Sequence, residues 1–309
     1  MRPAVYIPNF NGADRLGPTL RALGAQTAPV DVVLVDNGSD DDSVAVARRE
    51  LEAVEILAMG ANLGFGPAIN RAVAERPADP VILLNNDAVP EPRFVEALLD
   101  GLGPGVDSVA GVMTQEQAPG LIDSAGVVAD ATLMGFDYLH GEPVSAAAGA
   151  ADPLGPTGGA ALYRLEALNA VGGFDERIFL YYEDLDLALR MAAGGARCRL
   201  APEAQALHAY SASLGAASAR KYGWTGWSRG YMLRRYGVLR NPHLALRVLA
   251  CEGALCAGQL LKDHTAGGLK GRLRGWREAG GLAQLDPGDA PLLEISAREA
   301  LALRRRRRG

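Results

Sequence analysis

Short apolar runs alternate with amphipathic segments over the first 90 residues of the chain. The apolar runs, typical of buried strands, lie at residues 4–7, 30–35, 54–57 and 81–84. Apolar residues at helical spacing occupy residues 15–25, 43–51 and 68–74. This alternation predicts an α/β fold with a mostly parallel central sheet flanked by helices.

Beyond residue 101 the pattern becomes less regular. Strands are predicted at residues 106–113, 126–128, 160–163 and 198–200. A helix is predicted over residues 185–193, where Gly194 and Gly195 end it, and the chain is helical in pattern from residue 218 onward.

Polar residues follow the predicted strands of the first half. Asp36 ends the second strand, Asn62 opens a glycine-rich loop after the third, and Asp87 follows the fourth. In open parallel sheets, ligands bind outside the carboxyl ends of the strands. We therefore expect these side chains to line one crevice.

An acidic cluster marks the start of the predicted helix at residues 185–193. Glu183, Asp184 and Asp186 fall within four positions, directly after Tyr181 and Tyr182. Acids in a first helical turn gain about 0.3–1 kcal/mol each from the helix dipole, which is one interpretation. The other is a general base that points into a substrate cleft. A second acidic element at Asp87 favours the second interpretation.

The composition indicates a soluble globular protein, with 49% hydrophobic and 22% charged residues among 309. Cys198, Cys251 and Cys256 match no zinc or redox spacing, which favours a reducing compartment. The N-terminus shows no secretory signal. Polar residues interrupt the apolar stretch at 244–261, which we expect to be a packed or surface-lying helix. A cytoplasmic location is therefore expected.

The net charge of −5 is unevenly distributed. Residues 240–309 carry 13 Lys and Arg against 7 Asp and Glu, a net +6, and the remainder carries 18 against 29, a net −11. The tail ends in a run of arginines at 304–308. Such a tail either binds an anionic membrane face or stays solvated. No aromatic and basic surface motif accompanies it, so no nucleic acid is expected as a partner.

Several short motifs occur in the order typical of one enzyme family. They are IPNFNG at 7–12, VDNGS at 35–39, NLGF at 62–65, LNND at 84–87 and GGFDE at 172–176. With the acidic cluster and His208, they resemble the family 2 glycosyltransferases, which have the GT-A fold. The resemblance covers residues 3–236, and within the family the chain looks similar to rhamnosyltransferases of bacterial surface polysaccharides.

The resemblance implies inverting transfer of a hexose such as rhamnose from a nucleoside-diphosphate donor to a hydroxyl group. Asp87 and His208 would bind a divalent cation, Mn²⁺ or Mg²⁺, which stabilises charge on the leaving diphosphate. Asn85 stands where the family has the first acid of its Asp-x-Asp motif. An amide oxygen can ligate a hard cation but adds no negative charge.

The other site residues follow from the same resemblance. Asp184 would be the catalytic base, and Glu183 would orient the acceptor hydroxyl. Asp186 is expected to have a structural partner. The residues expected to bind the donor are Pro8, Asn9, Asp36, Asn62, Asn85 and Asn86. Those expected to bind the acceptor are Tyr182, Trp224 and Trp227.

Simpler interpretations of these residues remain open. Asp36 and the two asparagines of the LNND motif also suit turns, and the glycines after Asn62 suit a tight turn. The two tryptophans are equally suited to a core or an interface.

The expected organisation is a GT-A catalytic domain at 1–238 and a helical, basic C-terminal extension at 239–309. Residues 1–120 would form the nucleotide-binding half and residues 121–238 the acceptor half. The expected donor is a dTDP or UDP sugar, and the acceptor is a glycan, a lipid-linked glycan or a small molecule. The extension would pack on the catalytic domain, form a homodimer, or lie peripherally on the inner membrane face.

Two other functions were compared with glycosyl transfer. A sugar-phosphate nucleotidyltransferase usually has Lys or Arg in a glycine-rich first loop, and residues 8–12 contain neither. A non-catalytic nucleotide-sugar-binding protein is disfavoured because only the charge at position 85 is missing from the catalytic set.

Overall fold

The computed structural model describes residues 2–208 and 219–306. Its strands are β1 (Ala4–Asn9), β2 (Asp31–Asp36), β3 (Glu55–Ala58), β4 (Val81–Leu84), β5 (Ala88–Pro90), β6 (Ser108–Gln115), β7 (Ile122–Ser124), β8 (Val127–Ala129), β9 (Gly135–Asp137), β10 (Ala160–Tyr163) and β11 (Cys198–His208). Its helices are α1 (Leu16–Gly24), α2 (Ser43–Glu50), α3 (Phe65–Glu75), α4 (Phe94–Gly101), α5 (Leu165–Ala170), α6 (Glu183–Ala193), α7 (Ala219–Arg235), α8 (Pro242–Lys262), α9 (Gly267–Glu278) and α10 (Ala297–Arg306).

The central sheet has the strand order β3-β2-β1-β4-β10-β6-β11-β5, and β7 pairs with β6. The four strands from β3 to β4 are parallel, as the sequence pattern predicts. In the other half the directions are mixed, because β10 runs antiparallel to both β4 and β6, while β11 is parallel to β6.

Both faces of the parallel half are buried. Val5 and Ile7 of β1 point into one apolar cluster with α1 and α4, and Tyr6 points into a second cluster with α3 and α6. Alternate strand residues face opposite sides of a sheet, so a strand covered on both faces reads as a continuous apolar run. This explains the apolar runs in the sequence.

The carboxyl ends of β1, β2 and β4 meet at one edge of the sheet. Asn9 pairs with Asp36 in the β1–β2 register, and Tyr6 pairs with Leu83 in the β1–β4 register. The segment that follows β4 therefore emerges beside the ends of β1 and β2, and this edge carries the candidate site.

The last strand of the sheet, β11, is longer than predicted. It continues from Cys198 to His208, whereas the apolar pattern indicated a strand only at residues 198–200. The register with β6 shifts between Leu200 and Gln205, so an irregularity around Pro202 interrupts the alternation. Consequently His208 ends the strand itself instead of following it in a loop.

The C-terminal helices pack on the sheet domain and on one another. A buried cluster joins Val127 and Leu133 of the β8–β9 region to Tyr231 of α7, Val248 of α8 and Ala279 after α9. Among the described helices, α8 is long and apolar enough to cross a membrane by length and composition, and only 22% of its most apolar window is buried in the structure.

Candidate active site

Amide side chains form a hydrogen-bonded row across the carboxyl edge of the sheet. Asn86 donates from Nδ2 to Oδ1 of Asn9 at 2.7 Å, and Asn9 donates from Nδ2 to the Ser39 hydroxyl at 3.1 Å. Asp36 is buried at the same edge, and its Oδ1 has no hydrogen-bond partner among the described residues. Pro8, half-buried, precedes Asn9 in β1. The edge therefore has a buried carboxylate oxygen that is available as a hydrogen-bond acceptor.

Asn62 takes part in the construction of the loop before α3. Its Oδ1 accepts a hydrogen bond from Asn37 Nδ2 at 3.2 Å and one from the Gly64 amide at 3.1 Å. Gly64 has a φ of +93°, and an added Cβ would lie 2.5 Å from the Phe179 carbonyl oxygen. The loop thus packs against the segment that leads into α6. Asn37 is a structural residue for which no specific role was predicted.

His208 lies between two carboxylates at the end of β11. Its Nδ1 is 2.7 Å from Asp123 Oδ2, and its Nε2 is 3.3 Å from Asp87 Oδ1 and 3.4 Å from Asn85 Nδ2. Burial alone would lower the pKa of His208, but hydrogen bonds to Asp123 and Asp87 outweigh it and raise the pKa to about 9. The structure therefore brings together residues that are more than a hundred positions apart in the sequence.

Asp123 and His140 belong to this cluster and were not anticipated. Asp123 is buried, and its backbone carbonyl lies 2.7 Å from His140 Nδ1. Burial alone would raise the pKa of the Asp123 carboxyl group. Hydrogen bonds from His140 and His208 outweigh burial and lower that pKa. A lone Asp in a three-residue strand such as β7 gives no periodic signal. β7 pairs with β6, as β11 does, and the contact of Asp123 with His208 becomes visible only in the folded chain.

The donor atoms at this point suit a hard or borderline divalent cation. Asp87 supplies a carboxylate, His208 an imidazole, and Asn85 an amide oxygen if its side chain turns. Within residues 2–208 and 219–306 no group of three or more His, Cys, Asp or Glu has the arrangement of a metal site. Asn85 and the diphosphate of a donor would have to complete the coordination.

Two of the acids at the start of α6 differ in their surroundings. Glu183 is buried, and its Oε2 has no hydrogen-bond partner in the described part of the chain. Burial, together with the charge of Asp184, raises the pKa of Glu183 to about 8. Asp184 is half-buried and accepts a hydrogen bond from Thr157 at 3.5 Å. Glu183 therefore keeps its proton at neutral pH.

Asp186 has the structural role expected for it. It is fully buried, accepts from Arg190 Nε at 2.8 Å, and accepts from the Tyr236 hydroxyl at 2.9 Å. The second of these bonds attaches α6 to Tyr236, the residue that follows α7.

A turn at residues 157–159 connects the acids of α6 with the end of β4. Thr157 donates to Asp184, and two residues later the Gly159 carbonyl accepts from the Asn85 amide at 3.2 Å. Two residues span at most about 7 Å. An added Cβ on Gly159 would lie 2.9 Å from Asn85 Nδ2, so a side chain here would displace the Asn85 amide group. The turn therefore links Asp184 to the carboxyl end of β4.

The two tyrosines before α6 have left-handed backbone conformations. Tyr181 has a φ of 68° and Tyr182 a φ of 71°, which is rare for residues with large side chains. Strain of this kind costs about 1–3 kcal/mol per residue and is concentrated at functional sites. Here the two residues set the direction in which the chain enters α6 at Glu183.

The residues expected to bind an acceptor are in two different environments. Tyr182 is buried, and its hydroxyl accepts a hydrogen bond from Arg304 of α10 at 2.8 Å. An open cleft of about 260 Å³ lies next to the segment before α6. It is lined by Arg177, Phe179, Leu180, Trp224, Trp227, Ser228, Arg274 and Glu278. Both tryptophans thus line a cleft with cationic and aromatic walls.

Comparison with known proteins gives consistent relatives. The family model described as "Glycosyl transferase family 2" matches residues 4–171. The N-acetylglucosaminyl-diphospho-decaprenol L-rhamnosyltransferase of Mycobacterium tuberculosis is 33% identical over 222 residues, which cover 62% of this chain and 70% of that protein. The succinoglycan biosynthesis protein ExoA of Rhizobium meliloti is 30% identical over 200 residues, which cover 62% of this chain and 58% of that protein.

Solved structures agree with the fold. The mannosyltransferase PcManGT from Pyrobaculum calidifontis, in complex with GDP-Man and Mn²⁺, superposes with a TM-score of 0.56 and 18% identity, covering 99% of this chain and 84% of that one. The mixed sheet flanked by helices is that of its GT-A neighbours, which confirms the predicted fold class. The family model covers more than half of the residues, and the chain therefore belongs to glycosyl transferase family 2.

Proposed function

We propose that this chain is an inverting glycosyltransferase that moves rhamnose or another hexose from a nucleoside diphosphate to an acceptor hydroxyl. The observation that carries the proposal is the turn at residues 157–159. Through Thr157 and Gly159 it links Asp184 to the Asn85 amide at the end of β4, where Asn86 and Asp87 follow. A base and a donor site must lie close together, because reacting atoms have to approach to about 3–3.5 Å.

In this proposal Asp184 removes the proton from the acceptor hydroxyl while the oxygen attacks the anomeric carbon. The bond from that carbon to the diphosphate oxygen breaks on the opposite face, which inverts the configuration. Protonated Glu183 donates a hydrogen bond that orients the acceptor, since its pKa of about 8 keeps it neutral near pH 7.

A divalent cation, Mn²⁺ or Mg²⁺, would be held by Asp87 and His208, with Asn85 as a neutral ligand. It would supply charge stabilisation for the departing diphosphate. The chain's own contribution is orientation: Asp123 holds His208 so that Nε2 faces Asp87. The GDP-Man and Mn²⁺ in the PcManGT complex support this assignment by fold alone.

The donor nucleoside would bind along Pro8, Asn9, Asp36 and the loop at Asn62. Asp36 has the property expected of a nucleoside ligand, because its Oδ1 is buried without a partner among the described residues. A dTDP or UDP sugar remains the proposed donor, and a GDP sugar belongs in any screen because of the archaeal neighbour.

For the acceptor we propose a lipid-linked glycan, bound between Tyr182 and the cleft at Trp224 and Trp227. The name of the mycobacterial relative, which specifies a diphospho-decaprenol acceptor and L-rhamnosyl transfer, supports this choice. Aromatic faces suit sugar rings, and Arg177 and Arg274 suit a diphosphate.

The test uses Asp184→Asn in the full chain. A thermal-shift screen of dTDP, UDP and GDP sugars with and without Mn²⁺ first identifies the donor. Transfer of the radiolabelled sugar to a short-chain lipid-diphosphate glycan should fall at least a thousandfold in Asp184→Asn, whereas donor affinity by calorimetry stays within threefold. Asp14→Asn, an exposed change, serves as the matched control.

The stereochemistry and the competing functions are tested in the same assay. NMR of the product should show the anomeric configuration inverted relative to the donor. Full turnover by Asp184→Asn would remove that residue from the role of base. Pyrophosphate release from a nucleoside triphosphate and a sugar phosphate would instead identify a nucleotidyltransferase, and donor binding without transfer to any acceptor would identify a binding protein.

A further inference from the structure

The outward side of α8 is an apolar surface that spans most of the helix. Leu246, Leu249, Leu260 and Leu261 are 72%, 67%, 56% and 74% exposed. The residues between them on the same side are small, exposed and apolar: Ala250, Gly253, Ala254 and Ala257. We call these eight residues the α8 face. At 1.5 Å per residue it extends over about 24 Å.

The opposite side of α8 is bound to the rest of the protein by buried ion pairs. Arg247 contacts buried Asp130 at 2.6 Å, and Glu252 contacts Arg229, which is only 1% exposed, and Arg272. A buried charge that loses its partner is strongly destabilising. The helix therefore stays on the catalytic domain, and its apolar length does not make it a membrane span.

Exposed cations lie where α8 ends and α9 begins. Exposed Lys262 ends α8, and exposed Lys270 lies on α9 between Leu269 and Leu273, which are 47% and 58% exposed. The start of α9 packs against this end of α8, because an added Cβ on Gly268 would lie 2.0 Å from Gln259 Oε1. The acid between the two helices, Asp263, accepts from Tyr222 at 2.7 Å. This end of the α8 face is therefore basic.

We propose that the α8 face, together with Leu269 and Leu273, lies on the surface of an anionic lipid bilayer, whose headgroups bind Lys262 and Lys270. The face carries no side chain that can form a hydrogen bond, whereas protein interfaces form about one hydrogen bond per 100–200 Å². An apolar helix face bordered by cations is what a charged bilayer binds. This surface differs from the arginine tail, the other element for which the sequence suggested membrane binding.

This position would serve the active site. Arg274, which lines the cleft at Trp224 and Trp227, directly follows exposed Leu273. A bilayer on this surface would present a lipid-linked acceptor at the mouth of the cleft. This role of the surface rests on the proposed function. Bilayer binding itself needs neither donor nor turnover, so it can be measured independently.

The experiment is flotation of the full chain with vesicles of phosphatidylcholine alone or with 30% phosphatidylglycerol. We expect binding to the anionic vesicles, weakened by salt. The triple change Leu246→Gln, Leu249→Gln and Leu260→Gln should lower the partition coefficient at least tenfold, with circular dichroism and thermal midpoint unchanged because all three side chains are exposed.

Charge variants separate the α8 face from general electrostatics. Lys262→Gln with Lys270→Gln should weaken binding, whereas Arg48→Gln in α2 with Arg93→Gln just before α4, both exposed, should leave it unchanged. Removal of residues 305–309 tests the tail. The proposal is overturned if the wild type ignores anionic vesicles, if the leucine variant binds equally well, or if the tail alone accounts for binding. It is also overturned if the leucine variant instead dissociates a lipid-free dimer, since a second copy would then be the occupant.

Discussion

Asp123 controls the orientation and charge of His208 through one short hydrogen bond. We predict that Asp123→Asn lowers the pKa of His208 from about 9 toward 6.5, because a neutral amide no longer stabilises the imidazolium. Mn²⁺ affinity should fall about 10–100-fold, as is usual when the carboxylate partner of a histidine ligand is lost. Histidine NMR titration of the metal-free protein and calorimetry with Mn²⁺ measure the two effects.

A matched surface change provides the control for this prediction. Asp14, whose side chain is 68% exposed, lies away from the histidines, so Asp14→Asn should alter neither quantity. An unchanged His208 titration in Asp123→Asn would contradict the assigned role of Asp123.

The raised pKa values of His208 and Glu183 predict the pH dependence of stability. The folded pKa of His208, about 9, lies above its ordinary value of 6.5, so its stabilising contribution is complete below about pH 6.5 and is lost as the pH rises through 9. The pKa of Glu183 is raised from 4.5 to about 8 in the folded protein. The folded state therefore holds this proton more tightly than the unfolded state, so stability also falls as the pH rises from 4.5 to 8.

Urea unfolding of the metal-free protein between pH 5 and 9 should therefore show a free energy of unfolding that declines as the pH rises. Glu183→Gln should flatten the lower part of the decline and Asp123→Asn the upper part. A free energy of unfolding that stays constant across this interval in the wild type would contradict both assignments.

Single residues differ in how far the sequence could locate them. Asp87 and His208 follow from ordered motifs, and the structure places their side chains 3.3 Å apart. Asp123, His140 and Thr157 lie in short strands or turns without hydrophobic periodicity. Their importance comes from tertiary contacts, which no local pattern encodes.

Among the elements, α7 and α9 make the closest helix pair. Added Cβ atoms on Gly226 and Gly230 would lie 2.3 and 2.0 Å from backbone oxygens of α9, and those on Gly271 and Gly275 would lie 2.2 and 1.9 Å from backbone oxygens of α7. Glycine on both sides is what allows the two backbones to come into contact. The tryptophan that lines the cleft, Trp227, is held by this pair.

We predict that Gly230→Ala destabilises the protein by about 3 kcal/mol or more, because the methyl group forces the helices apart. Gly253→Ala on α8 is the matched control, since no described atom lies within 4 Å of its added Cβ. That change should stabilise by about 0.5–1 kcal/mol through helix propensity. Urea denaturation of both variants measures the difference, and equal stabilities would contradict the close packing.

How well a strand or helix could be predicted from the sequence depends on its length and on how it is buried. The strands of the parallel half are covered on both faces, so their apolar runs were visible at residues 4–7 and 81–84 and agree with β1 and β4. The strands β5, β7 and β9 have three residues each, too few to show a period. Helix α3 begins three residues before its predicted start at residue 68, because the Phe65 amide bonds to the Phe179 carbonyl, a tertiary partner.

At the scale of the whole molecule, the catalytic unit and the C-terminal helices share apolar core. Val127 and Leu133 pack in one buried cluster with Val248 and Ala279. Buried pairs from Asp130 to Arg247 and from Arg229 to Glu252 cross the same boundary. The division at residue 238 therefore stays a prediction about sequence organisation, and we expect the two parts to unfold together.

We predict that a chain truncated after residue 238 exposes this cluster and loses cooperative unfolding. It should bind a hydrophobic dye strongly and elute as aggregates in gel filtration, whereas the full chain should unfold in one transition. A soluble, monomeric truncated protein with a sharp thermal transition would show that the catalytic unit is independent.

The hydrogen bond from Arg304 to the Tyr182 hydroxyl connects α10 to the left-handed backbone at Tyr181 and Tyr182, directly before α6. During translation, α10 emerges from the ribosome after every other described element. The segment that leads into α6 therefore receives this hydrogen bond only after all other described elements have been synthesised.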